Sequence, residues 1–72
     1  MDNRFTEFGL HLRALRLQKG LSQEEVAHRA RIHVTYFSGV ERGKRNPSLK
    51  TLYQIASALG VQTRDLLLPE ES

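Results

Sequence analysis

From Phe8 the apolar residues fall at Phe8, Leu12 and Leu15, the i, i+4, i+7 spacing of one helical face, while Arg13, Arg16, Gln18 and Lys19 take the other faces. Gly20 follows as a C-terminal stop. Ser22 and Glu25 then have the spacing of a capping box, in which the hydroxyl accepts from the Glu25 amide and the carboxylate accepts from the Ser22 amide. This predicts a short helix over residues 23–30 with Val26, Ala27 and Ala30 inward. Two alanines on that side let another helix approach closely.

A break at residues 31–33 leads to a second short helical segment, 34–42, with Phe37 and Val40 inward and Gly43 at its end. Asn46-Pro47-Ser48 reads as a loop handing over to a cap, after which Leu49, Leu52, Ile55, Ala56 and Leu59 repeat at helical spacing as far as Gly60. Thr63 is placed to cap a last short helix carrying Leu66 and Leu67, and Pro69 prevents its extension. Alternating strand patterns are absent. The expectation is one all-α domain of five helices over residues 1–72.

At 72 residues the chain buries only about 60% of its unfolded surface, which leaves little room for a two-lobed catalytic cleft. It has no cysteine, hence no disulfide framework or thiolate metal cluster, and a reducing, cytoplasmic setting is expected. The longest apolar run, residues 66–68, falls far short of the roughly 18 residues of a membrane span, and no basic-then-apolar leader opens the chain. Lysine and arginine number 11 against 8 acidic residues, two of which, Glu70 and Glu71, sit in the tail. That balance favours an anionic partner.

Catalytic and metal chemistry find little support. His11, His28 and His33 lack the i, i+4 spacing of ligands on one helix, so no metal or other cofactor is expected. Ser22, Ser38 and Ser48 have no Gly-x-Ser-x-Gly setting, and Glu24 with Glu25 reads as a helix-start pair rather than an acid/base dyad, so no enzyme is expected. By contrast, Arg42, Lys44, Arg45, Lys50 and Arg64 span a stretch without a single acidic residue. Alone, this run reads more readily as a solvated loop. Behind two short helices joined by a three-residue break, the layout of a helix-turn-helix, it points to nucleic acid.

Four motifs occur in order: Leu12-Arg13-x-Leu15-Arg16; Lys19-Gly20-Leu21-Ser22-Gln23-Glu24-Glu25-Val26-Ala27; Glu41-Arg42-Gly43-Lys44-x-x-Pro47-Ser48-Leu49; and Ile55-Ala56-x-Ala58-Leu59-Gly60-Val61. On these the chain resembles the Cro/repressor-type (XRE) helix-turn-helix regulators over residues 8–68. The segment 35–43 also resembles the recognition helix of restriction-modification controller proteins. The resemblance implies a lambda-repressor-like fold with its helix-turn-helix unit at 23–42. It also implies a transcriptional regulator that binds double-stranded DNA, as a homodimer on a two-fold symmetric operator. A rival reading is an antitoxin-like module that binds a protein through its C-terminal helix while retaining DNA binding. A second domain to take a small-molecule ligand is not expected.

In such a unit the second helix lies in the major groove and the first crosses the backbone. The resemblance puts Gln23 on a phosphate, and His33, Val34, Thr35, Tyr36, Ser38 and Gly39 toward the groove. Thr35 and Ser38 offer hydrogen bonds, Val34 a contact for a thymine methyl, and Tyr36 a hydroxyl on a stiff arm. No side chain among them is a bidentate base reader, so DNA shape is expected to share in the specificity. Arg42, Lys44, Arg45 and Asn46 would meet flanking phosphates, with Arg45 or Asn46 reaching the minor groove.

Arg16 and Glu41 match a salt bridge between the first and third helices of related repressors. Tyr53, Val61, Leu66, Leu67 and Leu68 exceed the apolar surface that one side of a short helix can bury; core packing is expected to take some of it and a dimer contact the remainder. Arg31 stands where the family commonly has a left-handed glycine, a conformation that costs a non-glycine residue roughly 1 kcal/mol.

Overall fold

The computed structural model describes residues 3–67. Its elements are α1 (Asn3–Gln18), α2 (Gln23–Ala30), α3 (Val34–Glu41) and α4 (Leu49–Leu59), followed by a single 3-10 turn at Thr63–Leu66. The fold is all-helical and lambda-repressor-like, but it has four α-helices where five helices were expected.

The physical reason lies in the cap. Gln62, not Thr63, caps the last element: its amide donates to the Asp65 carboxylate at 2.9 Å, and the Asp65 amide donates to the Gln62 carbonyl at 2.9 Å. Both bonds close at i+3, and Leu67 is already extended (φ −84°, ψ 142°), so an α-helical i+4 ladder never starts. At the other end, α1 begins five residues before the apolar stripe that announces it at Phe8.

Leu12, Val26, Phe37, Val40, Ile55 and Leu66 are fully buried and come from every element. Each contributes about 1.5–3 kcal/mol of burial free energy relative to exposure. Val26, Ala27 and Ala30 face inward from α2, which packs on α4. The Gln54 side-chain amide of α4 reaches across to donate to the Ala30 carbonyl at 2.9 Å, satisfying an acceptor that the end of α2 leaves open. Gly9, on the buried side of α1, makes a similar approach possible for α3. A Cβ there would lie 2.1 Å from the Glu41 carbonyl oxygen, so α1 reaches the end of α3 only because that atom is missing.

All four helices close with the same pair of bonds: for α2 these run from the Arg31 amide to His28 O and from the Ile32 amide to Ala27 O. The residue at the turn is left-handed in each case: Gly20, Arg31, Gly43 and Gly60, with Arg31 at φ 60°, ψ 43°. The inter-helix break is therefore a standard helix end with an arginine in a glycine's place.

Candidate nucleic-acid interface

Helix α3 buries Phe37, Val40 and Glu41 and turns Val34, Thr35 and Ser38 the other way, with the exposed Arg42 continuing that strip beyond its end. At 3.6 residues per turn Val34, Ser38 and Arg42 stack in one row with Thr35 beside it. His33 is the exposed N-cap residue and its side chain makes no capping bond.

Two expected groove-facing residues lie at the edges of this strip. Tyr36 is half-buried with its ring packed on the core, and Gly39 is buried beneath the loop that follows. An eight-residue helix wedged between α1 and α2 has a wide inner side, and both residues lie on its margin.

The rotation of α3 is set by a buried polar junction. Glu41 accepts from Arg16 through both oxygens, Nε to Oε2 at 2.6 Å and Nη2 to Oε1 at 3.1 Å, and the two side chains are 3% and 9% exposed. Arg16 Nη1 donates to the Leu21 carbonyl at 2.9 Å, and Gln23 Nε2 donates to Glu41 Oε1 at 3.0 Å. One carboxylate thus ties α1, the start of α2 and the end of α3 together. Among the described residues no buried side-chain nitrogen or oxygen lacks a partner. Gln23, expected at a phosphate, commits one N–H to this junction.

The start of α2 is built as anticipated by its spacing. The Glu25 amide donates to Ser22 Oγ at 3.0 Å and the Ser22 amide to the Glu25 carboxylate at 2.9 Å. Hydrogen bonding of the Glu25 carboxylate to Ser22, to its amide foremost and then to its side chain, holds this carboxyl below its usual range.

Past α3 the chain carries Arg42, Lys44, Arg45 and Asn46, all exposed. The loop is anchored, since the Lys44 amide donates to the Gly39 carbonyl at 2.8 Å and the Gly43 amide to Val40 O at 3.1 Å. The stem of Arg45 lies over Gly39. On the opposite flank a depression between α1 and α3 carries Arg13, Gln23, Ser38 and Arg42. Arg13, exposed one turn before Arg16 on α1, adds a cation to this flank that the sequence pattern does not mark.

The apolar residues expected at a dimer contact are scattered by depth. Leu66 is fully buried in the core of its own chain, which removes it from any such contact. The 3-10 turn pulls it inward. Val61 is half-buried against the same core, Tyr53 and Leu67 are exposed, and Leu68 lies outside the described residues. Leu49, the first residue of the α4 apolar series, is 60% exposed one turn before Tyr53, because the first turn of that helix projects past the core. Leu10 and Leu17 are also exposed on α1. No helix among the described residues is long and apolar enough to cross a membrane.

Two helices meeting at a left-handed turn, the second turned outward and flanked by cations, define a helix-turn-helix protein. The chain belongs to the helix-turn-helix family, whose model matches residues 12–66, and its domain is of the XRE type. It is 49% identical over 61 residues to the control protein C.BamHI of Bacillus amyloliquefaciens, covering 83% of this chain and 75% of that one. An uncharacterised HTH-type transcriptional regulator of Sinorhizobium fredii is 46% identical over 63 residues, 88% of this chain and 82% of the relative. The crystal structure of the restriction-modification controller protein C.AhdI from Aeromonas hydrophila matches with a TM-score of 0.90 at 42% identity, over 92% of this chain and 100% of that one. These relatives are regulators rather than enzymes, and the chain takes its place in a family of helix-turn-helix transcriptional regulators.

Proposed function

We propose that this protein is a sequence-specific regulator of the controller type that binds a two-fold symmetric DNA operator as a homodimer. The observation that carries this reading is the outward row of α3, oriented by a buried ion pair and bordered by exposed Arg42, Lys44, Arg45 and Asn46. In it, residues 1–72 form a single DNA-binding domain with 23–42 as its helix-turn-helix unit.

Val34, Thr35 and Ser38 face base edges, with His33 at the groove wall and the Tyr36 hydroxyl reaching past its packed ring. The second N–H of the Gln23 amide takes a phosphate while the first holds Glu41. The cationic loop neutralises backbone charge, and DNA shape supplies the discrimination that three small side chains cannot. Exposed Leu49, Tyr53 and Leu67 support pairing with a second copy. Pairing makes operator occupancy depend on the protein's own concentration in the cytoplasm, with no small-molecule ligand required.

Selection of bound duplexes from a random pool, followed by a salt titration on the selected site, tests the reading. A dimer that neutralises roughly 6 to 10 phosphates loses about 10³ to 10⁵ in affinity between 50 and 200 mM salt. A flat response, or no selected sequence, would reject it. The same exposed apolar residues favour a second reading, an antitoxin-like module, which predicts a stoichiometric protein partner on purification and a monomer without it.

A further inference from the structure

Glycine is among the poorest helix formers, yet Gly39 sits in the middle of α3. No left-handed backbone calls for it, since the positive-φ glycines are Gly20, Gly43 and Gly60. What calls for it is space. A Cβ at position 39 would lie 2.7 Å from Arg45 Cγ and 3.7 Å from both its Cβ and its Nε. The obstacle is the stem of the arginine close to its own backbone, which cannot swing away without re-aiming the head. The Gly39 carbonyl meanwhile accepts the Lys44 amide at 2.8 Å, so one residue fixes both the backbone just before Arg45 and the line of its side chain. Gly39 is buried although Arg45 is exposed, the pattern of an arginine that lays its methylenes on a surface and keeps its guanidinium in water.

We infer that Gly39 is a seat for Arg45: a positioning residue that holds the guanidinium beside the outward row of α3, in register with the DNA backbone. This rests on the DNA-binding reading above and assigns a cause to one of its contacts. It separates the two margins of the recognition helix. On the α1 side Ser38 and Arg42 border an open depression, and on the loop side the border is an arginine set into the helix surface.

The test compares wild type, Gly39→Ala, Arg45→Ala and the double variant, measuring melting temperature and DNA affinity as a function of salt. Gly39→Ala should fold, weaken binding as much as Arg45→Ala does, and lower the salt slope by about one although it removes no charge. The double variant should bind no worse than either single variant, and should melt above Arg45→Ala because the colliding Cγ is gone and alanine favours the helix. A merely structural role for Gly39 would change melting and leave the slope intact.

Wild-type affinity and slope in Gly39→Ala would overturn the inference, as would additive losses in the double variant or unaltered binding by Arg45→Ala. If Gly39→Ala does not fold, the double variant decides: melting no higher than Arg45→Ala overturns the proposed collision. Wild-type protein that binds no duplex at low salt would overturn the DNA-binding reading itself, an outcome visible before any variant is compared.

Discussion

Helices α3 and α4 each bury one side and expose the other, by different means. The inner side of α4 is apolar along a regular helical stripe of Ile55, Ala56, Ala58 and Leu59, with one polar side chain, Gln54, at its edge. The inner side of α3 carries a carboxylate, Glu41, in a bidentate pair with Arg16, and a bare glycine backbone under a neighbouring loop. Apolar burial is non-directional and holds a helix against a core within a range of rotations, whereas a two-pronged charged hydrogen bond admits one. The helix that must bring Thr35 and Ser38 into register with a ligand has the directional anchor. The helix that exposes Leu49 and Tyr53 for a less exacting contact has only a single neutral hydrogen bond, from Gln54 to the Ala30 carbonyl, in place of a charged pair.

The strongest way to break that contrast is Glu41→Ala, which leaves the Arg16 guanidinium buried without its partner. It should cost about 3–5 kcal/mol, and each kcal/mol lowers the melting temperature of so small a domain by about 4–8 °C. Thermal or urea unfolding reads this directly. Replacing the pair together, Arg16→Met with Glu41→Leu, should regain most of the stability without regaining DNA affinity. Full recovery of affinity would show that α3 needs no directional anchor.

On the α4 side, Tyr53→Glu should leave the monomer folded, because the ring is 55% exposed, and should weaken pairing by about 2 kcal/mol or more. Sedimentation equilibrium measures the shift toward monomer. An unchanged mass at every concentration would remove α4 from the dimer contact.

Smaller effects probe the helix ends. Ser48 accepts the Thr51 amide at 3.1 Å, and Ser48→Ala should cost about 1 kcal/mol by urea unfolding. Arg31→Gly relieves a left-handed arginine and should gain up to about 1 kcal/mol.

The smallest effect is a pH dependence at the start of α2. The folded Glu25 carboxyl titrates below its unfolded value, so its contribution is complete above the ordinary carboxylate range and fades as pH falls through the folded value. Glu25→Gln should therefore be less stable than wild type at neutral pH and indistinguishable from it in strong acid. A gap that persists in acid would mean that the box is not what Glu25 supplies.

Much of this architecture could be read along the chain. The boxes and stops that bound α2 and α4 depend on residues within five positions of one another, and Ser22 with Glu25, Ser48, Gly20 and Gly60 mark their places by chemistry that acts locally. Phe37 and Val40 show their direction through spacing, and the Arg16–Glu41 partnership is visible through resemblance. Residues whose depth the chain order leaves open share a different feature. Leu66, Leu49, Tyr36 and Gly39 each have a local pattern compatible with either side of their element, and burial was settled by what packs against them.

The positions of α2, α3 and α4, the serine caps of α2 and α4 and the excess of positive charge followed from the order of residues, since hydrogen bonds between near neighbours and side-chain periodicity need no distant partner. The depth of each apolar residue, the close contact at Gly9, and the laying of Arg45 across Gly39 were decided only when segments far apart in the chain met. Close packing forbids two atoms the same space, and no pattern along one strand of sequence records which atoms will contend for it.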